Sequence, residues 1–194
     1  AFEVLDGGTQ TTVQQFPGRL GYWHVGVPPS GPMDSLAFRI ANRLVANPEG
    51  AAGLEMTTTG ATLLFECPAV IAITGADMKA KVDGKVVPCW SAFSVQQNSI
   101  LSMDAVSGPG SRAYVAIHGG IDVPDYLGSR STFILGKFGG HAGRSLRAGD
   151  IIHLDAPGVD DSTEWEGLPQ ALRPRYSNHW QIGVLLGPLT APVF

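Results

Sequence analysis

A single stretch of this chain carries the pattern of a long helix, and breakers fence it on both sides, so the rest must be strands, turns and loops. Apolar residues recur at Leu36, Ile40, Ala41, Leu44 and Val45, the spacing of a buried stripe. Ser30 or Asp34 can cap its start, and Asn47-Pro48-Glu49-Gly50 stops it. At about 100° per residue, Asp34, Ser35 and Asn42 share one quadrant opposite the stripe, with Arg39 beside it. The helix is preceded by GYWHVGVPPSGPMD, in which Pro28, Pro29 and Pro32 fix φ while Gly26 and Gly31 permit turns. The expected loop is stiff. Periodicity leaves two readings open: a surface helix with a capping aspartate, or a small-molecule site using the free N–H groups of a helix start.

Around this helix, runs suited to strands fall at 2–5, 11–13, 53–56, 61–65, 69–74, 78–82, 86–87, 92–95, 100–103, 112–117 and 150–154, with turn signals every 8 to 12 residues from the third run to the eighth. Asp83-Gly84 is a two-residue hairpin signal. The 25 glycines and 14 prolines suit short strands and tight turns, so a mainly-β domain is expected, a closed or nearly closed barrel or a sandwich. Near Ala156 the composition shifts. Residues 1–155 are expected to form a first unit, 156–178 a linker, and 179–194 the start of a truncated second unit opening with a strand at 179–186.

A net charge of −4 without a basic run argues against a nucleic-acid partner. No window has the apolar length of a membrane span, and the first residues lack a secretory pattern, so a cytoplasmic protein is expected. Cys67 and Cys89 sit in apolar runs without a CxxC and read as reduced core thiols. The five histidines show no metal-ligand spacing, and no GxSxG is present, so neither a structural metal nor serine hydrolysis is expected.

Three segments could carry chemistry. Residues 128–144, GSRSTFILGKFGGHAGR, set Arg130, Lys137, His141 and Arg144 among glycines that include Gly139 and Gly140, after Ser129, Ser131 and Thr132. Such a loop suits a carboxylate or ureido oxygen, or is a glycine-rich crossover with surface cations. The GxxxxGK[ST] order is missing, so ATP binding is not expected. His118-Gly119-Gly120 ends an apolar strand, where backbone can approach a ligand or simply turn. Glu55 is a lone acid in an apolar strand, either paired at a barrel rim or tuned as an acid or base.

Side by side, these segments resemble the carboxyltransferase domain of biotin-dependent urea carboxylase, the carboxylase part of urea amidolyase. Relatives include allophanate hydrolase subunit 2-like proteins, the regulatory protein KipA and a component of bacterial 5-oxoprolinase. The resemblance rests on TTVQ and PGR at 11–19, GYWHVGVPPSGPMDSLAFRIANRLVAN, LEMTTTG, ITGADM, HGGIDVP, and the glycine-rich segment with the following GD, and it covers nearly the whole chain. Departures fall at Gln15, where an acid is usual, at Ala46, where glycine is common, and at Leu189-Thr190.

The resemblance implies a cyclophilin-like β-barrel with one principal helix, the first half of a domain that takes carboxybiotin from a separate carrier and passes its carboxyl group to urea, forming allophanate. The implied partners are the biotin carboxyl carrier and biotin carboxylase domains and the remaining half of the carboxyltransferase, with no metal or ATP in this domain. The piece alone is expected to be inactive. Catalytic candidates are Asp34, Glu55, Arg130 and Lys137; candidates for binding urea or biotin are Ser30, Gly31, Ser35, Asn42, Gly119, Gly120, Ser131, Gly139 and Gly140. Among these, Gly119, Gly120, Arg130 and Lys137 would donate to the ureido oxygen, and Asp34 or Glu55 would serve as base if one is needed. A KipA-like non-catalytic regulator and a 5-oxoprolinase component are the alternatives.

Overall fold

A computed structural model describes residues 1–155, 165, 167–185 and 187. Twelve strands and one α-helix follow in order: β1 (Phe2–Asp6), β2 (Gln10–Gln14), α1 (Ser35–Leu44), β3 (Gly53–Thr57), β4 (Thr62–Phe65), β5 (Ala69–Gly75), β6 (Lys81–Val82), β7 (Lys85–Val86), β8 (Ser91–Val95), β9 (Ile100–Ser102), β10 (Arg112–Ile117), β11 (Ile121–Asp122) and β12 (Ile151–Leu154). They form a seven-stranded sheet, β11-β12-β1-β4-β9-β6-β7, and a five-stranded sheet, β2-β3-β10-β5-β8. All ladders are antiparallel.

Strand alternation sorts the side chains into two cores. On β10, Ala113, Val115 and Ile117 point between the sheets, where they meet Phe2, Leu63, Phe65 and Ile71. Tyr114 and Ala116 point the other way, onto Ala37, Phe38 and Ala41 of α1. The helix thus covers the outer face of the five-stranded sheet. Gly53 admits it, since a Cβ there would lie 3.2 Å from the Phe38 ring.

The mainly-β expectation with one principal helix is met. Strand β11 escaped the sequence reading because two residues carry no period, and β12 begins at Ile151, one residue after the expected start. Of the strand expected at 179–186, residues 179–185 are exposed and in no ladder, and residue 186 lies outside the described residues. In the expected linker, Trp165, Leu168 and Tyr176 pack on the helix-side core, and the Leu168 N–H donates to the Trp90 carbonyl at 2.7 Å. Residues 156–164, and Leu189 and Thr190, lie outside the described residues.

One departure noted in the sequence has a conformational cause. Ala46 has φ 56°, its N–H donates to the Arg43 carbonyl at 3.0 Å, and the next N–H, of Asn47, reaches back to the Asn42 carbonyl at 2.8 Å. This is the double bond of a Schellman stop, whose left-handed residue favours glycine. Ala46→Gly is therefore expected to raise stability by about 1 kcal/mol in denaturant titration.

Candidate functional site

The proline-rich loop and the glycine-rich crossover, a hundred residues apart in sequence, meet along the end of β2. The Thr132 N–H and hydroxyl both donate to the Val13 carbonyl, at 3.0 and 2.9 Å. Gln14 bridges the two segments: its side-chain oxygen accepts the Gly31 N–H at 3.0 Å and its amide donates to the Thr132 carbonyl at 3.4 Å. Ser131 Oγ accepts the Gln15 N–H and donates to the Gln15 carbonyl, both at 3.0 Å, and the Arg130 N–H donates to Gln15 Oε1 at 2.8 Å.

Arg19 completes the junction. It is fully buried; its N–H donates to the Pro29 carbonyl at 2.5 Å, Nε to the Tyr126 carbonyl at 2.9 Å and Nη2 to the Ser131 carbonyl at 2.9 Å. Burial pushes its guanidinium below the ordinary range, with nearby Asp125 acting in the opposite direction.

The helix start is fixed by a buried chain of hydrogen bonds. Asp34 caps α1, its Oδ1 accepting the Ala37 N–H at 3.0 Å and its Oδ2 the Tyr176 hydroxyl at 2.7 Å. The Asp34 N–H donates to the Tyr114 oxygen at 2.7 Å, and that hydroxyl donates to Glu55 Oε2 at 3.0 Å, which also accepts the Met33 N–H at 2.7 Å. Burial raises the Tyr114 phenol well above its usual range, and the Glu55 carboxylate adds to this. Burial likewise raises Tyr176, reinforced by its bond to Asp34. Both phenols therefore stay protonated as donors.

The His118-Gly119-Gly120 turn lies at the other end of the helix. His118 Nδ1 is 2.7 Å from the Val45 carbonyl, which can only accept, so that nitrogen carries the proton. Ten helical residues at about 1.5 Å each put some 15 Å between this turn and the helix start.

These contacts revise several expected roles. The Gly119 N–H donates to Asn47 Oδ1 at 2.8 Å and the Gly120 N–H to the Ile117 carbonyl at 2.9 Å, so neither is a free donor. Asn42 is buried, donating to the Ala51 carbonyl at 3.0 Å and accepting from Asn47. Gly139 and Gly140 are close-packed rather than open, because a Cβ would overlap the Ser131 carbonyl or the Thr132 hydroxyl. Arg130 Nη1 donates to the Ile121 carbonyl at 2.9 Å and pairs with Asp155. Asp34 and Glu55 are each held by two donors.

Lys137 differs. It is exposed at φ 56° in a turn closed by Phe133 and Phe138, and among the described residues no group pairs with its ammonium. Ser30, at φ 58°, is half-buried, and Ser35 is exposed on the first turn of α1. Arg19, Gln14, Tyr114 and Tyr176 were missed in sequence. Only Tyr114 carried a signal, its alternation with Ala113 and Val115 placing it on the helix side.

Beneath the crossover, Arg144 grips Asp150 with two bonds of 2.7 Å, the Arg147 N–H adds a third at 2.8 Å, and His141 lies 3.5 Å away. Arg144 above all pulls the carboxyl down to about 2. The folded value lies below the unfolded one near 3.9, so this stabilisation is present above that pH and is lost as pH falls toward 2. Asp150 is 10% exposed, and Asp150→Asn is expected to cost about 2 kcal/mol at pH 7 while flattening the acid limb of a stability-against-pH curve.

Among the described residues no three His, Cys, Asp or Glu side chains gather to hold a metal ion, and no helix is long and apolar enough to cross a membrane. Comparison with known proteins adds to this geometry. Urea amidolyase of Saccharomyces cerevisiae is 45% identical over 198 residues, covering 100% of this chain and 11% of that protein. A 5-oxoprolinase component of Escherichia coli is 36% identical over 172 residues, covering 88% of this chain and 54% of that protein. The crystal structure of Kluyveromyces lactis urea carboxylase superposes with a TM-score of 0.85 at 45% identity, over 91% of this chain and 16% of that one. The chain thus spans only a small part of the urea amidolyase it matches. Residues 25–193 match the family model described as carboxyltransferase domain, subdomain A and B, and the chain belongs to that family.

Proposed function

We propose that this chain is part of the carboxyltransferase of a biotin-dependent urea carboxylase, transferring a carboxyl group from carboxybiotin to urea to give allophanate. The observation that carries the reading is the 45% identity to urea amidolyase over the whole chain, against 36% to the 5-oxoprolinase component over 88% of it. The other participants are the biotin carboxyl carrier and biotin carboxylase domains and the remaining part of the carboxyltransferase, in the cytoplasm.

Biotin on its carrier supplies the carboxyl group and, once relieved of it, a nitrogen that can take a proton from urea. The residues here suit that group: Lys137 offers an unpaired ammonium for the ureido oxygen, next to exposed Leu135 in the same turn and near Tyr126, whose ring lies 5.0 Å from that of Phe138. A fixed donor at such an oxygen lowers a barrier by about 3 kcal/mol. Ser35 and the first turn of α1 present donors to urea, and orienting a poor nucleophile contributes several kcal/mol, up to about 7–11. Asp34 and Glu55 hold the loop and the helix start, leaving proton acceptance to the acceptor nitrogen.

The match to the Escherichia coli protein supports a second reading as a 5-oxoprolinase component. A KipA-like regulator would instead work through exposed apolar residues such as Trp23 and Met33, a surface that a domain of a larger polypeptide also uses. The complete polypeptide, given ATP, bicarbonate and its biotinylated carrier, is expected to form allophanate with urea. Turnover of 5-oxoproline instead, or of neither compound, would replace the reading.

A further inference from the structure

We propose that Arg19 is a positioning residue for the transfer site, gripping the crossover so that Lys137 is presented at a fixed height beside the proline-rich loop. This rests on the reading that Lys137 holds the ureido oxygen. Arg19 joins the two segments in one residue. Its backbone ties to the loop through the Pro29 carbonyl, and its side chain reaches the Ser131 carbonyl on the crossover and the Tyr126 carbonyl just before it. Its guanidinium lies 4.9 Å over the ring of Phe138, the residue after Lys137, and a Cβ on Gly139 would fall 2.7 Å from Nη2. Any shift of the guanidinium would move the residues on the C-terminal side of Lys137.

Packing alone gives no reason for an arginine here. Burying a cation is costly, no carboxylate hydrogen-bonds to it among the described residues, and Nη1 is buried with no partner. Methionine would fill similar volume without that cost. What methionine lacks is the planar fork that reaches two carbonyls at once while stacking on a ring, and lysine lacks it too.

The test uses the complete enzyme with Arg19→Met, Arg19→Lys, Lys137→Ala and the Arg19→Met/Lys137→Ala pair, assaying urea-dependent carboxyl transfer and ATP-dependent biotin carboxylation separately. Arg19→Met is expected to lower kcat for transfer by about tenfold or more, with KM for urea and biotin carboxylation little changed, and Arg19→Lys to fall between. The pair should be no slower than Lys137→Ala alone, a coupling that general destabilisation does not produce. Should Arg19→Met fail to fold, Phe138→Leu, which removes the ring face, is expected to show a smaller loss with the same coupling. Losses that multiply, or transfer at the wild-type rate in both Arg19→Met and Phe138→Leu, would overturn the assignment while Lys137→Ala stays slow. A wild-type rate for Lys137→Ala would remove the parent reading and this one with it.

Discussion

Lys137→Ala in the complete polypeptide is expected to slow urea-dependent carboxyl transfer about 100-fold, the usual cost of losing one donor to a developing oxyanion, and to leave ATP-dependent biotin carboxylation unchanged. On the proposed reading the two partial reactions separate because ATP-dependent carboxylation of biotin belongs to another domain, in keeping with the missing phosphate-loop order in the segment carrying Lys137. Stability should also stay put. The side chain is exposed and touches no partner among the described residues, so its loss leaves nothing unsatisfied. Lys137→Arg keeps the charge and is expected to retain part of the rate. A loss of both reactions together would point to a folding defect instead.

Glu55→Leu has the opposite profile: a loss of stability of about 3–5 kcal/mol. Glu55 is 7% exposed, and leucine in its place strands the Met33 N–H and the Tyr114 hydroxyl, while Arg112, 3.8 Å away, loses its nearest counter-charge. A domain of ordinary stability, about 5–15 kcal/mol, would be left marginal. Glu55→Gln keeps an oxygen able to accept both donors and is expected to cost only about 1 kcal/mol. Denaturant midpoints of the two variants measure the difference directly. A leucine variant as stable as the glutamine one would mean the carboxylate holds neither the loop nor the helix start.

Much of the frame was legible in the sequence because its causes are local. The helix could be read from its apolar spacing and from Asp34, and its stop from Asn47-Pro48, but its buried face is Ala37, Phe38, Ala41 and Asn42, while Leu36 of the expected stripe is exposed; Asp83-Gly84 announced the β6–β7 hairpin. Ala46 stood out in the sequence only as a departure from a common glycine, and its left-handed backbone came to light in the fold. The roles of site residues were less legible because their partners are remote. Glu55 stands out as an acid in an apolar strand, yet its donors Met33 and Tyr114 lie 22 and 59 residues away.

The glycine pair after His118 looked like open backbone for the same reason. Its N–H groups are taken by an asparagine 72 residues earlier and by a carbonyl in its own turn, and no local pattern encodes the first of these. Arg19 carried no local sign of its role beyond its place in the PGR of the family resemblance, and only the folded crossover turns it into a buried clamp. The run at 179–185 reads as strand by composition, but a strand is held by its ladder, and among the described residues this run joins none.

On the proposed reading, the crossover turn bearing Lys137 is where the carboxylated carrier delivers its group. The direct measurement is the rate at which an amine-reactive reagent modifies Lys137 in the complete enzyme, followed by peptide mass, with the carrier either biotinylated or not. Biotinylation is expected to slow modification of Lys137 severalfold while other exposed lysines, such as Lys85, react at an unchanged rate. Equal rates at Lys137 with and without biotin on the carrier would contradict the claim.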